Sequence, residues 1–188
     1  MQILKLGITT EMQNKMAHKQ QKDYCNTVKE KHKDHFHNKR VLEVGSLNVN
    51  GSFRELFTDC DYTGIDIVAG KDVDIVCKGH EFESAQKFGV VCSGECFEHD
   101  EYWPKTLDKM YDLLEKGGLF FFTCASDGRA EHGTKRTGGS IWGTNPNYYQ
   151  NINEAMVRTV WNPEEMFDDF EFIYNPESKD LYFKGIKK

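Results

Sequence analysis

Apolar residues fall in short runs broken by polar turns, and the runs carry two different periods. Val41, Leu42 and Val44 form a short strand that enters a turn rich in Gly and Asn, Gly45 to Gly51. SFRELFT (52–58) reads as a short helix with Ser52 placed to cap it. A second strand runs from Tyr62 to Asp66, Val73, Asp74 and Val76 pattern as a third, and FGVVCS (88–93) as a fourth. LFFFTC (119–124) is the continuous apolar run of a central strand buried on both faces. Between the last two, Trp103, Leu107, Met110, Tyr111 and Leu114 keep helical spacing over 102–116, with Pro104 in the first turn and Gly117-Gly118 as the stop. Only AGKD separates the second and third strands, so no full crossover helix fits there and that sheet edge should be thinly covered. The closing FEFIYNPESKDLYFKGIKK holds two β-rich runs about a turn at 175–178, an antiparallel pair.

This order places the turn after the first strand and the carboxylate of Asp66 at one carboxyl edge of a parallel sheet, where open α/β folds bind nucleosides. Asp66 lies roughly 20 residues beyond the turn, the separation expected of an acid that grips ribose hydroxyls. A dinucleotide turn needs G-x-G-x-x-G, and Leu47 stands where its second glycine would be. The first strand also ends in an acid, Glu43, which would repel a pyrophosphate and suits a ligand carrying an ammonium or a sulfonium.

Four motifs in sequence order, Glu43-Val44-Gly45-Ser46, Asp66, VDIVCKGHEF and FGVVCSGECFEH, followed by a helix and LFFFTCAS, resemble class I S-adenosylmethionine-dependent methyltransferases over about residues 39–124. The resemblance implies a three-layer Rossmann-like sandwich whose mostly parallel seven-stranded sheet has an antiparallel last strand. It implies S-adenosyl-L-methionine as cofactor, with Glu43, Gly45, Ser46 and Gly51 around the methionine part, Asp66 on the ribose and Ser93 at the fourth strand. Lys78 takes the place of the carboxylate often found on the adenine amino group. Adenine would then meet backbone at Lys78 and Gly79, with stacking from Ile67. The glycine turn is longer than usual, and Asn48, Asn50 and Gly51 supply the residues that tolerate positive φ.

Residues 1–38 form an N-terminal helical extension with a thin apolar stripe (Met12, Met16, Tyr24, Val28), read equally as a lid or as a solvated helix. Residues 39–188 form the methyltransferase domain, with an insertion at about 125–169. The insertion is first rich in Gly, Thr and charge, and then helical at INEAMVRTV and PEEMFDDF. It leaves the carboxyl edge, and a loop of that length is uncommon unless functional or disordered. Arg129, Glu131, His132, Lys135, Arg136, Trp142, Tyr148 and Tyr149 offer it charge and aromatic faces for a substrate.

Transfer from a sulfonium is an in-line displacement that mainly needs positioning, and a base only if the acceptor must lose a proton. His99 and His132 are the candidate bases, against plain readings as a capping residue and an exposed loop residue. Glu95 points near the methyl group or orients the cofactor. No metal set is expected: His32, His35 and His37 read as a solvated helix end, and Cys92 and Cys96 are not a C-x-x-C pair.

Lys plus Arg number 24 against 30 Asp plus Glu in 188 residues, a net charge of −6 that argues against a long nucleic-acid groove. No apolar run is long enough to span a membrane and the N-terminus lacks a signal-peptide pattern, so with scattered cysteines a cytoplasmic protein is expected. Acidity and compactness favour a small-molecule acceptor, sugar-like compounds included. Methylation of protein or RNA, and a degenerate cofactor-binding regulatory module, are the alternatives.

Overall fold

The computed structural model describes residues 10–49, 51–138 and 143–188, with side chains of the first helix from residue 19 onward. Its strands are β1 (Arg40–Val44), β2 (Asp61–Asp66), β3 (Ile75–Val76), β4 (Phe88–Gly94), β5 (Leu114–Ala125), β6 (Phe167–Asn175) and β7 (Asp180–Lys187). They form one seven-stranded sheet in the order β3-β2-β1-β4-β5-β7-β6. Strands β1 to β5 pair in parallel, and β7 runs antiparallel to both β5 and β6. This is the expected Rossmann-like sheet with its antiparallel last strand. The order reverses between β1 and β4, so the ligand crevice of such a fold lies at their carboxyl ends.

The central strands β1, β4, β5 and β7 bury side chains on both faces because successive side chains alternate. Leu42, Val44, Val91, Phe120, Phe122 and Phe183 point into one cluster, beneath α2 (Trp103–Leu113) and α3 (Glu154–Val160). Val41, Val90, Cys92, Leu119, Phe121 and Tyr182 point into the other, covered by Tyr24, Cys25 and Val28 of α1 (Thr10–Lys31). Tyr24 stacks on Tyr182 at 4.6 Å between centroids. The helix also reaches the carboxyl edge, where Gln21 donates to the Thr123 hydroxyl at 2.7 Å.

Several local expectations are corrected. The segment 52–58 forms a single 3₁₀ turn, Phe53–Leu56, with Ser52 capping it by accepting from the Arg54 amide. Strand β3 is two residues long; Asp74 precedes it, and its carboxylate accepts from Gly64 N at 2.7 Å and pairs with Arg54. Helix α2 stops at Leu113, because Leu114 already turns extended and pairs with Phe88, and the chain enters β5 ahead of Gly117. In PEEMFDDF only Pro163–Met166 (α4) is helical, and FDDF opens β6. Between β2 and β3 the chain makes turns alone, and Val68, Ile75 and Val76 are exposed on that edge.

Candidate active site

The crevice is built by the ends of β1, β2 and β4. Gly45 ends β1 at φ +80°, a left-handed backbone that glycine adopts without strain. A Cβ there would fall 2.6 Å from Cys96 Cβ and 2.8 Å from its Sγ, so the missing side chain lets the β4 exit close on the β1 turn. Past it the turn is tied across to the β2–β3 connection: Asn48 Nδ2 donates to Asp72 at 2.6 Å and Asn48 N to Lys71 O at 3.0 Å. Asn48 thus serves by its side chain rather than by a positive φ, while Gly51, held by Asn48 Oδ1, is at φ +139°. Asn50 and Trp142 lie outside the described residues.

Asp66 sits half-buried at the tip of β2. One carboxylate oxygen accepts from Leu47 N at 3.2 Å and the other from Val68 N at 3.0 Å. A carboxylate offers about four lone-pair sites, so about two stay open, as many as a ribose has vicinal hydroxyls. Ser46 is buried, and its hydroxyl completes no hydrogen bond among the described residues. An acid with open lone pairs, an orphaned hydroxyl and a glycine cradle fit an adenosyl cofactor. When bound, that cofactor supplies an electrophilic methyl group.

The other expected cofactor residues are placed as follows. Glu43 is buried on the α1 side, where its carboxylate accepts the Tyr62 hydroxyl at 2.7 Å; burial raises it to about 7. Ser93 is buried and donates to Val44 O at 2.8 Å, clamping β4 to β1. Lys78 turns to Glu81 at 3.2 Å. Gly79 lets the chain pass Thr106 and Val44, since a Cβ there would lie 2.6 and 2.8 Å from their methyl groups. Ile67 is half-buried beside Asp66. Two surface depressions, one at Ser126, Asn153 and Arg158 and one at His32, Asp169 and Lys184, are lined by none of these residues.

The three candidate catalytic residues are gathered beyond the β4 exit, and a fourth joins them. Glu95 takes φ +50°, unusual for a non-glycine residue and typical of constrained sites. Burial and then Glu98 hold its carboxyl well above the usual range. Glu98 is fully buried, and burial raises it to about 7. His99 and His132 pack edge to face at 4.9 Å, with Tyr149 at 5.5 and 5.0 Å from them. Burial and the neighbouring His132 push His99 down to about 3, so it is neutral at pH 7. Glu98 was legible only as part of the ECFEH exit, and nothing in that spacing shows that it faces His132.

The insertion folds down onto this cluster. Gln150 N donates to Glu98 O at 3.0 Å and Ile152 N to Ala125 O at 2.9 Å, while Gly143 packs on the His99 carbonyl. Several of its charges are spent internally: Arg129 bonds Asp180 at 3.0 Å and the Ser178 carbonyl at 2.7 Å, and Arg136 pairs with Glu131. Tyr148 donates to Gln150 and Tyr149 to the Ala130 carbonyl, and Lys135 is exposed.

Sheet order and switch-point crevice define the class: a Rossmann-like class I methyltransferase. Residues 16–165 match the family described as methyltransferase domain, and the chain belongs to that family. It is an S-adenosylmethionine-dependent methyltransferase. No curated protein matches it in sequence. Among solved structures it is similar to magnesium protoporphyrin IX methyltransferase (ChlM) from Synechocystis PCC 6803 with bound S-adenosylmethionine, at 11% identity and TM-score 0.62, covering 100% of this chain and 86% of that one. It is also similar to the N-methyltransferase NodS from Bradyrhizobium japonicum WM9, at 16% identity and TM-score 0.58, covering 89% and 96%. The Burkholderia thailandensis 1,6-didemethyltoxoflavin-N1-methyltransferase matches at 16% and 0.58, covering 84% and 74%. At these identities the likeness is one of fold.

Proposed function

We propose that the protein methylates a small-molecule acceptor, sugar-like compounds included, held between the cofactor crevice and the folded insertion. The observation that carries this reading is the closure of the insertion on the β4 exit, with Gly143 against the His99 carbonyl and Gln150 bonded to Glu98. An aromatic and acidic lining of this kind suits a compact ligand better than a polyanionic strand. Asp66 holds the ribose, and the Gly45–Gly51 turn passes the methionine part. Glu43 contributes through the turn it supports, because its carboxylate is engaged by Tyr62. Glu95, His99 and His132 orient the acceptor. Residues 1–38 act as an N-terminal extension whose helix packs Tyr24, Cys25 and Val28 on the sheet of a domain spanning 39–188. Six free cysteines favour a reducing, cytoplasmic compartment. No described helix is long and apolar enough to cross a membrane.

The test is calorimetric titration with S-adenosylmethionine and S-adenosylhomocysteine, NAD serving as control, followed by an acceptor screen with labelled methyl groups. Micromolar binding of the adenosyl ligands alone and label transfer to a small molecule are expected. Label passing only to protein or RNA would overturn the acceptor class.

A further inference from the structure

We propose that Glu98, His99 and His132 bind one divalent transition-metal ion on the acceptor side of the crevice. A carboxylate oxygen and two imidazole nitrogens, one donor from each residue, all lie within 4.8 Å of one another. Ligands at about 2.0–2.1 Å from a common ion stand roughly 3–4 Å apart, so side-chain rotation of an ångström or so closes the site.

The charge balance points the same way. Glu98 is 0% exposed, and no side chain among the described residues hydrogen-bonds its carboxylate, which has only the backbone at Glu98 and Ala125 and the Arg129 charge to favour its ionised form. Glu95 Oε1 likewise completes no hydrogen bond among the described residues. The nearby guanidinium, Arg129, is engaged by Asp180 and the Ser178 carbonyl. Buried carboxylates are ordinarily paired, protonated or bound to metals, and a dication here would let Glu98 bind as the anion. Imidazole ligands select zinc-like and other borderline ions over magnesium or calcium, and three protein ligands leave a coordination position open.

The location gives the ion a role, which rests on the methyl-transfer reading above. Cys96, two residues before Glu98, touches the Gly45 cradle, so the segment that carries Glu98 starts beside the cofactor crevice. An ion there holds an acceptor hydroxyl and lowers its pKa. The hydroxyl proton leaves to water, the oxygen bonds the methyl carbon, and the broken C–S bond leaves its electron pair on sulfur. The acceptor class is therefore a hydroxyl-bearing small molecule.

Chelator-stripped protein would be titrated with Co²⁺, read by its visible absorption and by the metal-to-protein ratio after desalting. One equivalent is expected. Binding should weaken at least ~10-fold in both His132→Ala and Glu98→Gln, each checked for folding by circular dichroism. The double variant His35→Ala/His37→Ala should bind as the parent does, which removes the exposed histidine segment as the source. No bound Co²⁺, unchanged binding in both ligand variants, or loss in the His35/His37 variant overturns the site. S-adenosylhomocysteine calorimetry on the same samples separates the two readings. Adenosyl binding without Co²⁺ sinks the metal site alone, and Co²⁺ binding without adenosyl binding sinks the methyl-transfer reading alone.

Discussion

Exchange of Glu43 for glutamine should stabilise the protein at pH 8 and do little at pH 5. The carboxyl is 4% exposed, and burial moves it from about 4.5 in a solvated chain to about 7 in the fold. Facing groups only partly relieve this: the Tyr62 hydroxyl, Arg54 and the Phe53 amide favour the anion, while Asp72 opposes it. The Cys25 and Cys92 thiols are themselves pushed up by burial and by Glu43. An acid whose pKa is raised on folding binds its proton more tightly in the folded state. Its stability contribution is therefore lost as pH rises from about 4.5 to about 7, and is flat outside that window. At about 1.4 kcal/mol per pH unit, the full cost of the buried anion is about 3 kcal/mol above pH 7 and about 1 kcal/mol at pH 5. Glutamine carries no charge at any pH and still accepts from Tyr62. Other buried acids titrate too, so the quantity to follow is the difference between parent and Glu43→Gln in urea denaturation at pH 5, 6, 7 and 8. It should grow by about 2 kcal/mol across that range in favour of the variant. Parallel stability curves would refute the burial argument.

Three further outcomes follow from single contacts. Asp66→Ala should weaken S-adenosylhomocysteine binding by about 1.5–3 kcal/mol, the worth of hydrogen bonds to a charged group, and calorimetry showing no change in a folded variant would place the ribose elsewhere. Gly45→Ala adds a Cβ 2.6 Å from that of Cys96 at φ +80°, so denaturation should show a loss of about 2–4 kcal/mol, partly regained with Cys96→Gly. Arg129→Ala leaves the fully buried Asp180 without its guanidinium and should cost about 3–5 kcal/mol at pH 7.5. The loss should be smaller in melts at pH 5.5, because burial already raises that carboxyl and protonation relieves it.

What could be read from the chain was what local periodicity and short spacing encode. The β1–turn–β2 segment, the β4 exit and the β5 run each carry their signal within a dozen or so residues, and the sheet followed from their order. Two of the misread elements, β6 and the start of β5, are those where a bulge breaks the period. In β6 the pairing register shifts between Asp168 and Glu171, with Asp169 at φ +44°. That extra residue lets Phe167, Phe170 and Phe172 all pack toward one core cluster, a spacing of three then two that imitates a helix. At the start of β5, the shift between Phe88 and Val90, with Gly117 at φ +76°, hid three strand residues behind what looked like a helix stop. The site met a different obstacle. Glu98 and His99 are adjacent, but His132 reaches them only because the insertion leaves β5 at Ala125 and is tied back to Ala125 through Ile152 and to Glu98 through Gln150. No period spans that return, so the exit motif could name its members without showing that they enclose a buried acid.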